Sequence, residues 1–204
     1  MTQLNNDPEK VKIAASMLLT SPGVPFIYYG EEVGMEGQKP DEDIRRPMQW
    51  SAEQYAGFST TIPWELIGPG WETNNVATET TDPNSILSHY RALIQVRNKH
   101  AALRVGNMVA VHSDHSALYT LLRVSKAEMV MVIINLSGEP ISGYKLSLDK
   151  SSIPPGEYHA FPIFGALGEY SDLTITDVGG FINYIPLVEI PAYRTVIIQL
   201  QLSR

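Results

Sequence analysis

An unbroken apolar run lies between two helical patterns in the first part of the chain. Residues 24–29 read Val-Pro-Phe-Ile-Tyr-Tyr, and Gly30, Glu31 and Glu32 follow directly. Strands that are buried on both faces show such continuous runs, because helices cover each side of a parallel sheet. The run therefore predicts a strand over Val24–Gly30, with polar residues at the end where α/β barrels place their chemistry. An ordinary core strand followed by two solvated glutamates fits the same pattern.

The first helix is predicted to begin at Asp7-Pro8. Aspartate can cap a helix and proline suits its first turn. The apolar residues that follow cover most of the helix circumference, so this helix is expected to be largely buried. Ser21-Pro22-Gly23 ends it just before the apolar run.

A second helix is predicted to begin near Asp82-Pro83 and to run to about Leu103. Its apolar residues form a single stripe, which indicates a half-buried surface helix. Arg97, Lys99 and His100 suit the negative end of this helix's own dipole.

The segment from Val33 to about Thr81 has no hydrophobic period and is rich in glycine and proline. A loop of this length is uncommon in a compact domain and is usually functional. Its aromatic rings offer flat platforms for sugar faces, but they can equally pin the loop to the protein interior. Pinning is the interpretation that we favour for these residues, which are Trp50, Tyr55, Phe58, Trp64 and Trp71.

Beyond Arg104 the pattern changes to short β-rich runs separated by turn residues. Several short strands with turn signals indicate an antiparallel sandwich. We therefore place a domain boundary near Leu103, with one domain at residues 1–103 and a second at 104–204. The predicted runs are Asn107–His112, Ala117–Val124, Met129–Leu136, Gly143–Leu148, Glu157–Phe161, Leu173–Thr176 and Val188–Leu202.

Composition excludes several kinds of site and partner. The net charge is −7 and no basic run is present, which argues against nucleic acid or an anionic membrane as partner. There is no cysteine, so disulfides and thiolate zinc sites are excluded, and the histidines lack metal-ligand spacing. No apolar run reaches transmembrane length. Because cysteine is absent and the histidines lack metal-ligand spacing, we expect no metal, and we also expect no cofactor. The composition predicts no particular compartment.

Two motifs together resemble one enzyme family. Residues 22–35 read Pro-Gly-Val-Pro-Phe-Ile-Tyr-Tyr-Gly-Glu-Glu-Val-Gly-Met, and residues 45–50 read Arg-Arg-Pro-Met-Gln-Trp. The first is similar to the last barrel strand of the α-amylase family, glycoside hydrolase family 13. The second resembles the Arg-Thr-Pro-Met-Gln-Trp segment of its α-glucosidase and oligosaccharide-hydrolase branches, with Arg46 in place of threonine. The helix over 85–103 is similar to the last helix of that barrel.

The resemblance implies an α+β chain: the C-terminal end of a TIM (β/α)8 barrel followed by an all-β antiparallel sandwich. It also implies retaining hydrolysis of α-glucosidic bonds in starch-like oligosaccharides, with an α-glucan or maltooligosaccharide as substrate. The family's catalytic carboxylates include an Asp within an Asn-His-Asp motif, and this sequence has no such motif. A complete barrel needs roughly 250 residues. We therefore expect an inactive fragment whose partner is the missing barrel portion.

The local carboxylates are not expected to replace the family's catalytic groups. A retaining glycosidase needs two carboxyl groups about 5–5.5 Å apart. Neighbours such as Glu31 and Glu32 project in different directions along an extended chain. We expect these two residues to organise the rim of the site. Asp41, Glu42 and Asp43 lie in a loop where solvated charges are the default.

Arg45 is the substrate-binding candidate that the resemblance implies, because the matching arginine of related α-glucosidases helps to hold the terminal sugar. A guanidinium offers paired donors suited to adjacent hydroxyls. A salt bridge to Glu31, Glu32 or Asp43 that stabilises the loop is the alternative, and the sequence does not separate the two.

Two further expectations concern partners and function. A lone strand leaves backbone donors and acceptors unpaired on both edges, so Val24–Gly30 could join two copies into a homodimer. The alternative function is that of a non-catalytic glucan-binding or structural β-sandwich module.

Overall fold

The computed structural model describes residues 1–203, which form two compact units. One unit contains Met1–Ala15 and Pro25–Ile94, and the other contains Ser16–Val24 and the chain from Gln95 onward. The division into domains at 1–103 and 104–204 remains a prediction.

Four α-helices occur within residues 1–203. They are α1 Pro8–Thr20, α2 Val76–Thr81, α3 Ile86–Lys99 and α4 Ala101–Val105. Single 3-10 turns lie at Thr2–Leu4, Glu31–Val33 and Gln54–Gly57. The predicted start of α1 is confirmed, because the Asp7 carboxylate accepts a hydrogen bond from the Glu9 amide at 3.0 Å.

The second predicted helix is present but shorter than expected. Ser85 caps α3 by accepting a hydrogen bond from the Ser88 amide at 3.0 Å. A carboxylate oxygen of Glu79 accepts a second one from the Leu87 amide at 2.9 Å. His100 is extended and separates α3 from α4, so the single predicted helix becomes two.

The predicted strand over Val24–Gly30 is wrong for this chain. The segment takes part in no sheet of the described residues and turns at Tyr29-Gly30. Its side chains are exposed, with Val24 at 78% and Phe26 at 84%. The apolar run indicates burial on both faces, but a strand also needs neighbouring strands on its edges. No described segment supplies such an edge.

Helix α2 was missed because the sequence around it lacks an apolar period. Its sequence, Val-Ala-Thr-Glu-Thr-Thr, is rich in β-branched residues, which have low helix propensity. The signal that was present is Asn75, whose side chain caps the helix by accepting a hydrogen bond from the Thr78 amide at 2.9 Å.

The β-rich part forms antiparallel sheets, as predicted. A six-stranded sheet has the order β1-β3-β4-β11-β7-β8, a three-stranded sheet the order β2-β6-β9, and β10 pairs with β5. The strands are β1 Asn107–Ala110, β2 His112–Ser113, β3 Leu118–Val124, β4 Met129–Asn135, β5 Ile141–Ser142, β6 Leu146–Leu148, β7 Gly156–Phe164, β8 Leu173–Ile175, β9 Phe181–Tyr184, β10 Glu189–Ile190 and β11 Thr195–Leu202.

Several strands differ from the prediction: Asn107–His112 divides into β1 and β2, and β5 was not predicted. The run Val188–Leu202 divides into β10 and β11 at Pro191 and at Tyr193, whose φ is 48°. Pro191 has no amide to donate to a ladder. Strand β9 was not predicted, because only two apolar residues, Phe181 and Ile182, lie between the Gly179-Gly180 turn and Asn183.

One apolar core is shared by all three sheets. Leu122, Met131 and Ile198 of the six-stranded sheet pack in one cluster with Leu146 of the three-stranded sheet and Ile190 of β10. Every residue of β4 is buried, on both faces of the strand. A strand covered on both sides loses the alternating pattern that marks a half-exposed one.

Two buried arginines bind the C-terminal end of α1. The Arg97 guanidinium donates to the carbonyl oxygens of Leu19 at 2.6 Å, Ser21 at 3.1 Å and Gly23 at 2.6 Å. Arg123 donates to the carbonyl oxygens of Thr20 at 2.5 Å and Gly106 at 2.9 Å. The last carbonyls of a helix have no partner within the helix, so these bonds replace water there.

Burial has an electrostatic consequence for the same two side chains. Desolvation lowers the pKa of both guanidinium groups, and the charge of Arg97 lowers that of Arg123 further. The negative end of the α1 dipole offsets this repulsion. Arg97 therefore stabilises the end of α1, and not the end of its own helix as the sequence suggested.

We expect Arg97→Met to lower the free energy of unfolding by about 3 kcal/mol, because hydrogen bonds to charged groups contribute about 1.5–3 kcal/mol. Urea unfolding followed by circular dichroism measures this. Arg91→Met is the control, since Arg91 is an exposed arginine of the same helix. Equal effects of the two substitutions would contradict this role of Arg97.

Glu79 should make stability depend on pH. Burial raises the pKa of its carboxyl above the ordinary 4.5, although the hydrogen bond from Leu87 opposes the shift. The folded state then binds the proton more tightly than the unfolded state, so stability falls as pH rises from 4.5 through the raised pKa. We expect Glu79→Gln to be more stable than the parent at pH 7, and the difference to shrink towards pH 4.

Urea unfolding at several pH values tests this expectation. The control is Glu72→Gln, which changes an exposed glutamate. A stability difference that stays constant across the pH range would show that Glu79 is not the titrating group.

Candidate functional site

A tight turn places Glu31 and Glu32 just after the exposed apolar segment. Gly30 has a φ of 88°, and a Cβ added there would come within 2.4 Å of the Met35 sulfur. Its carbonyl oxygen accepts hydrogen bonds from the Val33 amide at 3.3 Å and the Met35 amide at 2.8 Å. Only glycine combines this backbone conformation with this close approach. The turn sends the two carboxylates in different directions.

Glu31 faces helix α3. Its carboxylate accepts a hydrogen bond from the Tyr90 hydroxyl at 3.0 Å, and Tyr90 is only 4% exposed. Burial raises the pKa of Tyr90, and the negative charge of Glu31 raises it further. The hydroxyl therefore stays protonated and remains a donor to Glu31.

Glu32 and Arg45 line the same cavity, which has a volume of about 440 Å³. One carboxylate oxygen of Glu32 is buried and has no hydrogen-bond partner among residues 1–203. A buried acceptor without a partner is rare in native proteins. The remaining lining residues are Tyr29, Arg46, Pro47, Met48, Trp50, Phe58 and Trp64.

Arg45 makes one long ion pair, with its guanidinium nitrogen 3.6 Å from an Asp41 carboxylate oxygen. Its side chain is 64% exposed. An exposed pair of this length contributes little to stability. No described contact joins Arg45 to Glu31, Glu32 or Asp43, the three partners considered from sequence.

Arg46 makes the loop contacts that were considered for Arg45. Its guanidinium binds the Asp43 carboxylate and the Asp43 carbonyl oxygen, and it donates to the Ile67 carbonyl oxygen at 3.4 Å. In turn, the Tyr29 hydroxyl donates to the Arg46 carbonyl oxygen at 3.1 Å. Sequence reasoning treated Arg46 only as a departure from the family pattern, although its nearby carboxylates were a signal for this role.

The rest of this motif is buried. Met48 packs with Val33 and Leu87 in a small apolar cluster. The Gln49 amide nitrogen donates to the carbonyl oxygens of Gly68 at 3.3 Å and Pro69 at 3.4 Å. Met48 and Gln49 thus hold the loop on its buried side, while the Arg45 side chain stays exposed.

Three of the five loop aromatics do not pin the loop to the interior. Trp50 is 51% exposed, Phe58 50% and Trp64 83%, and all three line the cavity. Tyr55 and Trp71 are partly buried. The pinning interpretation therefore disagrees with the exposure of the cavity residues.

Within residues 1–203 no group of three or more histidine, aspartate or glutamate side chains is placed to hold a metal ion. The same part of the chain has no helix with the length and apolarity that crossing a membrane requires.

Comparison with known proteins identifies the family. The family model "Alpha amylase, catalytic domain" matches residues 1–106, just over half of the chain. The chain belongs to the α-amylase family. The match includes the Gly30 turn and the Arg45–Trp50 motif on which the resemblance rested.

Curated relatives of this α-amylase-family chain carry several activities in their names. "Alpha-amylase 3" of Dictyoglomus thermophilum is 39% identical over 131 residues, covering 63% of this chain and 26% of the relative. "Oligo-1,6-glucosidase" of Halalkalibacterium halodurans is 28% identical, covering 64% and 30%. "Trehalose synthase/amylase TreS" of Mycolicibacterium smegmatis is 28% identical, covering 87% and 33%. The chain thus spans about a quarter to a third of the length of these relatives.

A solved structure supports the same assignment. The crystal structure of the α-amylase from H. orenii matches with a TM-score of 0.71 and 29% identity, covering 98% of this chain and 37% of that one. The α-amylase-family fold therefore extends beyond residue 106.

The two arginines should behave differently when substituted. We expect Arg46→Gln to lower the free energy of unfolding by about 1–2 kcal/mol, because it removes charged hydrogen bonds that hold the loop. Arg45→Gln, its matched control, should have almost no effect on stability. Urea unfolding and limited proteolysis of residues 37–70 measure both, and equal losses would refute this division of roles.

Proposed function

We propose that the chain is the C-terminal portion of an α-amylase-family glycoside hydrolase that cleaves α-glucosidic bonds in starch-like oligosaccharides with retention. The cavity that combines Arg45 and Glu32 with exposed aromatic rings is the observation that carries this proposal. The names of the relatives, α-amylase and oligo-1,6-glucosidase, support the substrate class.

In this proposal residues 1–103 contribute the last part of a (β/α)8 barrel, and residues 104–204 form the β-sandwich. The exposed segment Val24–Tyr29, which forms no strand here, corresponds to the last barrel strand of the family, whose partners are the other barrel strands. The shared core of the three sheets supports the sandwich assignment.

The chain's own residues bind substrate and do not perform the chemistry. Retention requires two carboxyl groups about 5–5.5 Å apart, on either side of the scissile bond. Glu31 is engaged by Tyr90, and the turn directs Glu32 to the cavity wall. We therefore propose that the catalytic carboxylates lie in other segments of the family's barrel. Arg45 holds a sugar by donating to its hydroxyls, while Glu31 and Glu32 organise the rim.

A structural role is proposed for the sandwich. It contains no tryptophan, since all three tryptophans precede residue 72. Glucan-binding modules present exposed aromatic platforms, and tryptophan is the largest of these. An amylose pull-down of the chain and of a Trp64→Ala variant separates the two roles, because retention that survives this substitution would favour a glucan-binding sandwich.

We expect the 204-residue chain to show no turnover of maltooligosaccharides or of a chromogenic α-glucoside. Loss of catalytic carboxylates removes orders of magnitude in rate. Turnover that survives purification and disappears in Glu31→Gln or Glu32→Gln would overturn the proposal.

A chimera tests whether the chain supports hydrolysis when the rest of the barrel is present. The chain replaces the matching segment of the D. thermophilum α-amylase, and the chimera is expected to hydrolyse maltooligosaccharides. Arg45→Ala should lower its kcat/KM about ten- to a hundred-fold at unchanged melting temperature, since a charged hydrogen bond contributes about 1.5–3 kcal/mol. Arg104→Ala, at an exposed arginine of α4, is the control. Product analysis distinguishes hydrolysis from the trehalose synthesis named for one relative.

A further inference from the structure

Three polar side chains form a hydrogen-bonded chain on the six-stranded sheet. The Ser203 hydroxyl lies 3.0 Å from Nε2 of His159, and Nδ1 of the same imidazole lies 2.7 Å from a carboxylate oxygen of Asp172. An ionised carboxylate only accepts hydrogen bonds, so Nδ1 carries a proton and donates it to this bond. In the neutral imidazole Nε2 is then the acceptor for the Ser203 hydroxyl. The three side chains therefore stand in the order that nucleophilic catalysis by serine requires.

The register of the sheet brings these residues together, although they are separated by 13 and 44 positions along the chain. His159 belongs to β7, and the ladder between β7 and β8 ends one position before the point where Asp172 stands opposite His159. On the other side His159 pairs with Gln201 of β11, and Ser203 follows two residues later on the same face. Side chains at such diagonal positions of neighbouring strands are within reach of each other.

Backbone contacts fix the outer members of this chain independently of their side chains. The Ser203 amide donates to the Glu157 carbonyl oxygen at 2.8 Å, which extends the ladder between β11 and β7 by one position. Asp172 directly precedes β8, whose first residue, Leu173, is 1% exposed. His159 lies between them on a strand that is paired on both sides. The three groups are thus held by regular strands, as a preorganised site requires.

Stability alone does not account for this arrangement. The side chains of His159 and Asp172 are 51% and 39% exposed, and an exposed ion pair contributes little to stability. The backbone ladders already join β7 to both of its neighbours. The same exposure leaves the imidazole accessible to a small molecule from solvent, and Ser203 is partly exposed beside it.

An aromatic side chain provides an apolar surface next to the imidazole. Phe161 lies two residues beyond His159 in β7, and its side chain is 46% exposed. The alternate residues Tyr158 and Ala160 pack on the core, so Phe161 and His159 share the outer face of the strand. Phe161 therefore offers a contact to the apolar acyl or aryl group of a substrate that binds at His159.

We propose that Ser203, His159 and Asp172 form an acyl-transfer site that hydrolyses small carboxylic esters. The Ser203 Oγ attacks the ester carbonyl carbon while its proton passes to Nε2 of His159. The bond to the leaving oxygen then breaks, and the alcohol departs with that proton and leaves the acyl group on Ser203. A water oxygen attacks the acyl carbon as Nε2 takes a water proton, and the carboxylic acid departs as Ser203 regains a proton from Nε2.

Asp172 is a positioning residue in this proposal, because it acts only through the orientation and tautomer of the imidazole. Ser203 and His159 are the catalytic residues, since they exchange bonds and protons with the ester. The activity is separate from glucan hydrolysis and does not rest on the proposed function.

Covalent labelling of the 204-residue chain with diisopropyl fluorophosphate tests the nucleophile. The serine oxygen displaces fluoride at phosphorus, so that each modified molecule gains a diisopropylphosphoryl group that intact-mass spectrometry and peptide mapping detect. We expect labelling at Ser203 and none in Ser203→Ala. Ser152→Ala is the control, because Ser152 is an exposed serine of the same compact unit.

Release of p-nitrophenolate from p-nitrophenyl acetate measures acyl transfer itself. We expect His159→Gln to lower the rate at least ten-fold, because the general base is lost. Asp172→Asn should also lower it, while Asp172→Glu, which keeps a carboxylate, should restore part of the rate. His112→Gln, at an exposed histidine of β2, is the control. Thermal melting of each variant separates loss of reactivity from loss of folding.

The outcomes decide between a reactive site and a structural contact. Labelling of Ser203 that is lost in folded His159→Gln supports the site. Equal labelling of the parent and His159→Gln would overturn it and leave a structural link between β7, β8 and β11. Ester hydrolysis that persists in Ser203→Ala, or absence of labelling in the folded chain, would overturn it as well. None of these results bears on glucan hydrolysis, which the chimera assay decides.

Discussion

The end of helix α1 depends on two cations that the protein buries completely or nearly so. A helix leaves its last carbonyl groups without partners, and here the last residues, Leu19 and Thr20, are buried. Arg97 and Arg123 supply the missing donors, from α3 and β3 respectively. Burial lowers the pKa of both guanidinium groups, and the charge of Arg97 lowers that of Arg123 further. The arrangement is stable because carbonyl dipoles surround the charges, which stands in for a counter-ion.

In the candidate site, some side chains form hydrogen bonds within the protein and others stay exposed. Arg46, Gln49 and Tyr90 donate hydrogen bonds within the protein, and these bonds hold the loop and the Gly30 turn. Their neighbours Arg45 and Trp50 remain exposed, and Glu32 retains an unpartnered oxygen. Adjacent residues therefore have opposite roles, because successive side chains of an irregular segment point in different directions. One set of side chains fixes the segment, and the other set lines the cavity.

Predictability from sequence differed between local and long-range features. The start of α1 at Asp7-Pro8 and the antiparallel strands β3 and β4 follow from local signals, since caps and apolar runs act over a few residues. The prediction of a strand at Val24–Gly30 was wrong, because an apolar run indicates a strand only where neighbouring strands pair with its edges. The described chain has no such neighbours for this segment. The break at His100 and the start of the helix at Val76–Thr81 involve hydrogen bonds from the Ala102 amide to the Glu128 carboxylate and from the Val76 amide to the Gln49 carbonyl oxygen, which no local pattern contains.

The sequence by itself determined the family, since the motifs at residues 22–35 and 45–50 are the segments that the family comparison also covers. It also determined the change from helices to strands near residue 104, because periodicity is a local property. Only the tertiary structure decided which arginine holds the loop and which reaches the cavity, and that Arg97 serves another helix. It alone revealed the left-handed backbone at Tyr55, Ala56 and Gly57. These features depend either on contacts between residues that are far apart in sequence or on an unusual backbone conformation. Patterns of residue types along the chain encode neither.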